Sequence, residues 1–367
     1  MAELSTSFNP ARLRFARARL GRSRVQLSRD TGVPERSLAG YELGDHTPPA
    51  ETLRVLARAL DVPADFMFAD ELEQLPKGLP SFRAASKLTS GQEQAALSSG
   101  VLSIELNRWL EKRLRLPKVS VPRYERGAAD PVGAARRLRM EWELGHAPIR
   151  NMVHLLEGHG VRVFSLPERL ADVDAFSFWW QGTPYVLLNT RKSAERGRFD
   201  AAHELGHLVM HGDHDRPPGR EGEQEANRFA AALLMPEEEV LAAGLRNAGV
   251  EHVLKAKKRW GVAAMALTYR LHELGVTTDW IYTSTCRRLA QMGYRSAEPD
   301  GGVRETSQLL EKSLAALRER NVTVAHIARD LRMLPDTLRE LMFGLTLTPV
   351  AGGQQTAPAS RPSLRLV

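Results

Sequence analysis

The stretch RFDAAHELGHLVMH, residues 198–211, decides how the central part of this 367-residue chain folds. Apolar residues recur through it at the spacing of a helix, which predicts one buried helix from Ala194 to His211. Four of the eleven histidines of the chain fall within the twelve residues from His203 to His214. Such a cluster on a buried helix indicates chemistry rather than packing alone.

The centre of this stretch is the motif His203-Glu204-Leu205-Gly206-His207. On a helix, its two histidines lie on one face about one turn apart, so both imidazoles can bind a single Zn²⁺. The glutamate beside the first histidine can then take a proton from a water that zinc activates. The alternative is two satisfied histidines on a core helix, but a buried glutamate without a partner is costly. The motif therefore predicts His203 and His207 as zinc ligands and Glu204 as the catalytic base.

A catalytic zinc has three protein ligands, so a third must lie outside the motif. Asp213 lies at the position from which some zinc peptidases supply their third ligand. In those peptidases a glycine three residues after the second histidine lets the chain turn back, and here that position is Met210. His211 lies one turn beyond His207, too far along the helix axis to share the metal easily. The other option is an acidic residue on the following helix.

That helix is predicted within EGEQEANRFAAALLMP, residues 221–236. Glu225 lies beside its apolar face, four residues before Phe229. Glu221 and Glu223 point away or fall nearer the helix start, where acids commonly serve only the helix dipole. Glu225 is therefore the predicted third ligand.

The N-terminal region, residues 8–75, is predicted to form five short helices. The second and third, SRVQLSRDTG and VPERSLAGYELG, are joined by the turn DTGVP, which is the layout of a helix-turn-helix. Positions of the third helix not needed for packing are expected to face the major groove, and residues at the start of the second to contact phosphates. The groove-facing residues are Glu35, Arg36, Ser37, Ala39 and Gly40, and the phosphate-contacting residues are Arg22, Ser23 and Arg24.

The charge of this region leaves a second interpretation open. Residues 1–62 hold ten arginines and seven acidic residues, a net charge of +3, and Glu35 would face a polyanion. A helical protein-interaction module without DNA affinity is therefore the alternative. The helices, the turn and the distribution of arginines agree better with a double-stranded DNA operator as the partner.

The N-terminal stretch resembles the Cro/repressor-type (XRE) family of DNA-binding domains. The resemblance rests on positions for helix packing and for the turn after the recognition helix. These residues are Leu27, Gly32, Val33, Leu38, Tyr41, Glu42, Gly44 and Pro48.

The central region, roughly residues 130–280, resembles the ImmA/IrrE family of zinc metallopeptidases. The matching residues are Asn189, Arg198-Phe199, Ala202 to His207, His211, Glu225-Ala226-Asn227 and Leu233 to Pro236. The resemblance implies a gluzincin-like site in which His203, His207 and Glu225 hold Zn²⁺ and Glu204 is the general base. It also implies a known joining of helix-turn-helix and peptidase in one chain, in a family linked to cleavage of DNA-bound repressors.

Three strands are predicted between residues 160 and 190, namely GVRVFSL, DAFSFWW and PYVLLN. PYVLLN is either an edge strand that pairs with an extended substrate or a core strand. The rest of the chain has helical patterns. We therefore expect a mainly α fold with a small β-sheet: a five-helix helix-turn-helix domain, a gluzincin-like α+β metallopeptidase domain and a helical C-terminal region.

The predicted domain order follows these patterns along the chain. It is a helix-turn-helix domain at 1–75, a linker with one helix at 76–130, a metallopeptidase domain at 131–280, a helical region at 281–350 and a disordered tail at 351–367. Segments 253–275 and 322–345 also look like helix-turn-helices, but helical packing without nucleic acid is the preferred interpretation of both.

Composition limits the remaining possibilities. The net charge of +7 permits nucleic-acid binding without proving it. No apolar run approaches the roughly 18 residues of a membrane span, and the N-terminus lacks the apolar stretch of a secretory signal, so we expect a cytoplasmic protein. The single cysteine, Cys286, excludes an internal disulfide and a Cys-rich zinc site. Zinc here would need histidine and carboxylate ligands.

These features predict a DNA-binding transcriptional regulator, expected to be a homodimer, that carries a zinc-dependent endopeptidase. The peptidase would cleave a regulator protein, either itself or another repressor, in response to a signal. One alternative is a DNA-binding sensor whose peptidase-like domain binds metal or ligand without turnover. Another is the peptidase of a toxin–antitoxin or mobile-element module with a protein-binding N-terminal domain.

Overall fold

The computed structural model describes residues 7–76, 79, 88–125, 130–212, 220–295 and 297–346. The described residues fall into two compact units. The first unit takes its residues from Met1–Leu116, Phe164–Val173 and Leu309–Val367, and the second from Pro117–Val163 and Asp174–Gln308. Asp213 and the predicted tail at 351–367 lie outside the described residues. The predicted fold class, mainly α with a small sheet, is confirmed.

The N-terminal part of the first unit is a cluster of short helices. They are α1 (Pro10–Arg19), α2 (Arg24–Thr31), α3 (Glu35–Leu43), α4 (Ala50–Ala59) and a 3₁₀ turn at Ala64–Phe68. Leu27 of α2 and Leu38 of α3 are fully buried. Arg17 of α1 donates from Nε and Nη2 to the two carboxylate oxygens of the buried Glu42, at 2.5 and 2.9 Å. This bidentate ion pair ties α1 to the end of α3, because two parallel bonds fix orientation as well as distance.

Further helices of the first unit come from two distant parts of the chain. They are α5 (Ser90–Glu111), α14 (Gln308–Glu319), α15 (Val324–Asp330) and α16 (Pro335–Met342), with 3₁₀ turns at Glu168–Leu170 and Phe343–Leu345. Trp109 of α5 donates from Nε1 to Asp330, and the buried Arg19 of α1 donates to Thr337 of α16. The second helix-turn-helix-like pattern, α15 and α16, therefore contacts α1 through Thr337.

The second unit contains the remaining helices and most of the sheet. Its helices are α6 (Pro131–Glu141), α7 (Met152–Gly158), α8 (Ala194–Met210), α9 (Arg220–Leu234), α10 (Glu237–Ala242), α11 (Val250–Trp260), α12 (Ala264–Glu273) and α13 (Asp279–Gln291). None of the helices in the described part of the chain is long and apolar enough to cross a membrane.

Among the described residues, one sheet forms from β1 (Arg162–Ser165), β2 (Ala175–Trp180) and β3 (Thr183–Leu188), in the order β1–β3–β2. Strands β2 and β3 pair antiparallel, with Trp180 opposite Thr183. The two residues between them, Gln181 and Gly182, both have positive φ, as a type I′ hairpin turn requires. Strand β3 holds most of PYVLLN and is the central strand, which decides between the two interpretations of this segment in favour of a core strand.

Helices α8 and α9 approach closely at Gly206. A Cβ added there would lie 3.0 Å from Cδ1 of Phe229 and 3.4 Å from the backbone Cα of Ala226, both in α9. A side chain at position 206 would therefore force the buried ring of Phe229 to shift by a few tenths of an ångström in a closely packed contact. The absence of a side chain therefore sets how near α9 comes to the histidine face of α8.

Substituting this glycine is expected to destabilise the fold. Gly206→Ala overpacks the contact and should lower the free energy of unfolding by about 1–3 kcal/mol. Gly197→Ala is the matched control, because it lies in the same helix and nothing comes within 4 Å of the added Cβ. That variant should raise stability by about 0.5–1 kcal/mol, since alanine is the better helix former. Urea unfolding of both proteins measures the two shifts, and equal shifts of one sign would contradict the packing argument.

Candidate metal centre and nucleic-acid interface

His203 and His207 occupy one face of α8, where they are 0% and 2% exposed. Their Nε2 atoms lie 3.0 Å apart. The four-residue spacing produces this convergence, because side chains at i and i+4 of a helix stand one above the other. The predicted pairing of the two histidines is thus present in the folded chain.

The carboxylate that meets this pair belongs to Glu223, in the first turn of α9. Its Oε2 lies 3.3 Å from Nε2 of His203, and its Oε1 lies 3.4 Å from Nε2 of His207. Glu225, the residue expected from the sequence, instead has its Oε2 2.8 Å from Nε2 of His211. The structure therefore brings Glu223, and not Glu225, to the two histidines.

The three donors suit a divalent metal. Nδ1 of His203 lies 3.1 Å from Oδ1 of Asn227, an oxygen that can only accept, so Nδ1 carries the hydrogen. Nε2 of His203 then presents a lone pair to His207 and Glu223. The donor separations of 3.0 to 3.4 Å match the edge of a tetrahedron, about 3.3 Å for ligands about 2.0 Å from a metal. The residues present fit a metal ion at this point.

The protonation states of these groups also favour binding of a cation. Burial lowers the pKa of His207 to about 3, which keeps its imidazole neutral. Burial raises the pKa of Glu223, but its close contacts with the imidazoles of His203 and His207 outweigh that effect and hold the pKa well below its usual range. Neutral imidazole and ionised carboxylate are the forms that bind metal, so the site requires no proton loss from these groups at neutral pH.

Glu204 follows the first histidine and is fully buried. Ser177, in the middle of β2, donates a hydrogen bond of 2.7 Å to Oε2 of Glu204. This contact holds the glutamate from the sheet side of α8. A general base at this centre would need a carboxylate that is buried and held in place, and Glu204 is both.

The candidate DNA-contacting residues are at the surface of the first unit only in part. Glu35 and Arg36, at the start of α3, are exposed, and Ser37 and Arg24 are half-exposed. Ser23 caps α2, where its Oγ accepts from the backbone N–H of Gln26. These side chains lie on the two helices of the helix-turn-helix.

Two of the predicted contact positions are engaged within the protein. Arg22 donates to the backbone oxygen of Ala59 and pairs with Asp30 at 3.1 Å. Gly40 is buried, and the exposed ring of His46 lies 3.1 Å from the point where a Cβ would stand. His46 therefore presents a side chain where the sequence suggested the bare backbone of Gly40.

Two segments of the chain match known families. Residues 13–67 match the helix-turn-helix family model, and residues 156–272 match the model of the IrrE N-terminal-like domain. The chain thus joins an XRE-type helix-turn-helix to an IrrE-like peptidase domain. It is also 37% identical over 101 residues to the radiation response metalloprotease IrrE of Deinococcus radiodurans, across 24% of this chain and 30% of that protein. The chain therefore spans less than a third of the length of this relative.

The IrrE-like domain also contains contacts that were not predicted from the sequence. The missed residues are Glu223, Ser177 and, as a partner of His203, Asn227. Glu223 and Asn227 are four residues apart, the spacing that puts both on one face of α9. Ser177 is a buried polar residue within the otherwise apolar strand AFSFWW, which is a signal that the sequence did contain.

Proposed function

We propose that this protein is a DNA-binding regulator whose IrrE-like domain is a zinc-dependent endopeptidase. The peptidase cleaves a regulator protein, either this chain itself or another repressor, in response to a signal. The observation that carries the proposal is the convergence of His203, His207 and Glu223, together with the buried carboxylate of Glu204, the residue that follows His203. The name of the Deinococcus relative ties that protein to the radiation response, which supports a stress signal as the trigger here.

The proposed ligand set favours catalysis over a structural role. Among the described residues, the group that could hold a metal has three members, two imidazoles and one carboxylate. Structural zinc sites close all four positions with protein ligands, whereas catalytic sites keep one position open. A three-donor set therefore supports an enzyme.

The chain's own residues divide the chemistry between them. His203, His207 and Glu223 would hold the zinc, which supplies Lewis acidity for activating water and polarising a peptide carbonyl. Glu204 accepts the proton that the attacking water loses and can return it to the leaving amine. The hydrogen bond from Ser177 to Oε2 fixes the orientation of the Glu204 carboxylate, and with it the position of Oε1.

The helix-turn-helix would bring the peptidase to DNA. We propose that it binds a double-stranded DNA operator as a homodimer on two half-sites, with α3 in the major groove. Arg36 is the residue best suited to read a base, because its exposed guanidinium can bind guanine with two hydrogen bonds. A peptidase brought to an operator would meet other DNA-bound regulators there.

The peptidase assignment predicts separate effects on metal and turnover. Glu204→Gln should retain one zinc per chain, because the ligands are unchanged, and should lower the cleavage rate at least about 100-fold through loss of the base. Zinc is measured by mass spectrometry of the purified protein. Cleavage is measured on a quenched fluorescent peptide library and by intact-mass analysis of the chain itself.

His203→Ala serves as the matched control, since it should lose both zinc and cleavage. Cleavage by Glu204→Gln at the wild-type rate would refute the proposed base. Full operator-dependent regulation in cells carrying Glu204→Gln would instead indicate a sensor that works without turnover.

The operator assignment predicts a graded loss of DNA affinity. Arg36→Ala should weaken binding to the cognate promoter fragment by about 1–3 kcal/mol, the worth of a bidentate contact to guanine. Fluorescence anisotropy at several salt concentrations measures both the affinity and the slope of its logarithm against the logarithm of salt concentration.

Arg54→Ala is the control within the same domain, because Arg54 is exposed on α4 and paired with Glu51. It should leave the affinity within the error of the measurement. Equal losses in the two variants, or a salt slope near zero, would contradict DNA recognition by α3 and favour a protein-binding module.

A further inference from the structure

Glu225 and His211 form a pair beside the candidate metal centre without belonging to its ligand set. We infer that they are positioning residues, which fix His207 in the tautomer and orientation that a zinc ligand needs. This inference rests on the zinc site proposed above and assigns a role to two residues outside it. The pair is a carboxylate–imidazole unit that acts on the metal ligand through one hydrogen bond.

The contacts run in a single line from surface to ligand. Oε2 of Glu225 lies 2.8 Å from Nε2 of His211, and Nδ1 of His211 lies 2.8 Å from Nδ1 of His207. Nε2 of His207 then faces His203 and Glu223. Both ring nitrogens of both imidazoles therefore have defined neighbours.

The carboxylate of Glu225 determines which ring nitrogen carries the hydrogen in His211 and in His207. An ionised carboxylate only accepts, so Nε2 of His211 must carry a hydrogen and donate it to Glu225. In a neutral imidazole the other nitrogen is then an acceptor, so Nδ1 of His211 accepts from Nδ1–H of His207. Nε2 of His207 is left with a lone pair that points at the metal position. One carboxylate thus sets the tautomers of two rings.

Local backbone geometry explains why His211 can do this although it lies one turn beyond His207. His211 is the C-cap of α8, with a non-helical backbone at φ −114° and ψ 74°, and its N–H bonds to the backbone oxygen of His207. The chain therefore leaves the helix at this residue, and the ring need not follow the helical face. His211 is 4% exposed, so a buried ring without a carboxylate partner would be penalised.

The two zinc ligands have different supports. His203 donates to the neutral amide oxygen of Asn227, whereas His207 is linked through His211 to a charged carboxylate. A hydrogen bond to an anionic partner makes an imidazole a stronger donor to a metal. His207 is thus the ligand whose basicity depends on a residue that does not touch the metal.

The tautomers are testable without any metal. In zinc-free, ¹⁵N-histidine-labelled protein, long-range ¹H–¹⁵N spectra should show hydrogen on Nδ1 of His207 and on Nε2 of His211. Glu225→Ala should mix the two tautomers of His211. Glu225→Gln should preserve them, because its amide oxygen can still accept from Nε2. A mixture in the wild type, or no change in Glu225→Ala, would overturn the inference.

Zinc affinity supplies the second readout. Glu225→Ala should raise the Kd for zinc about 10- to 100-fold in chelator competition while one zinc per chain still binds. Glu225→Gln should raise the Kd less than Glu225→Ala does, because it keeps the tautomers and loses only the charge. The control is Glu221→Ala, which removes an exposed glutamate from the same helix and should leave the Kd unchanged.

Two results would count against the positioning role. Complete loss of zinc in Glu225→Ala would make Glu225 a ligand, and an equal effect of Glu221→Ala would reduce it to general surface charge. Failure of the proposed peptidase has a different readout, because a chain that binds zinc with the expected tautomers but cleaves nothing leaves this inference intact.

Discussion

The close approach of α8 to α9 at Gly206 is the contact on which the candidate metal centre depends. The two histidines come from α8 and the carboxylate from α9, so the distance between these helices sets the distance between donors. The aromatic ring of Phe229 fills the space that a side chain at position 206 would need. In this chain the motif therefore contributes a glycine to the packing of the two helices as well as the histidines and glutamate of the proposed site.

Hydrogen bonds around the centre offset the free-energy cost of burying its polar groups. Each of the groups that would otherwise be buried alone has a partner: Ser177 for Glu204, Asn227 for His203 and His211 for His207. Such partners orient the ligands and fix their protonation, and metal affinity depends on both. The site is thus organised by contacts from β2 and α9 before any ion binds, which lowers the entropy lost on binding.

The sequence was sufficient for the parts of the site that depend on local periodicity. His203, Glu204 and His207 lie within one helical turn, so their relation follows from the helix alone. The same holds for α2 and α3, whose turn and packing residues are contiguous.

The third donor could not be predicted in this way, because it lies on a different helix. Glu223 and Glu225 are two residues, or about 200°, apart on α9, so they flank its apolar face on opposite sides. Which side meets the histidines is decided by how α9 crosses α8, and a single sequence does not contain that angle.

Long-range packing also decided other details. The central position of β3 follows from strand order, which three short apolar runs leave open. The shielding of Gly40 by His46 depends on the loop after α3, and the engagement of Arg22 depends on Ala59 at the end of α4. In each case the outcome depends on a neighbour in space that the sequence does not specify.

The most direct measurement of the central claim is anomalous diffraction at the zinc edge from crystals of the zinc-loaded protein. We expect one zinc with Nε2 of His203, Nε2 of His207 and a carboxylate oxygen of Glu223 at about 2.0–2.2 Å. Glu225 and His211 should remain hydrogen-bonded to each other, outside bonding distance of the ion. A zinc bound by Glu225 or His211, or no anomalous peak between α8 and α9, would contradict it.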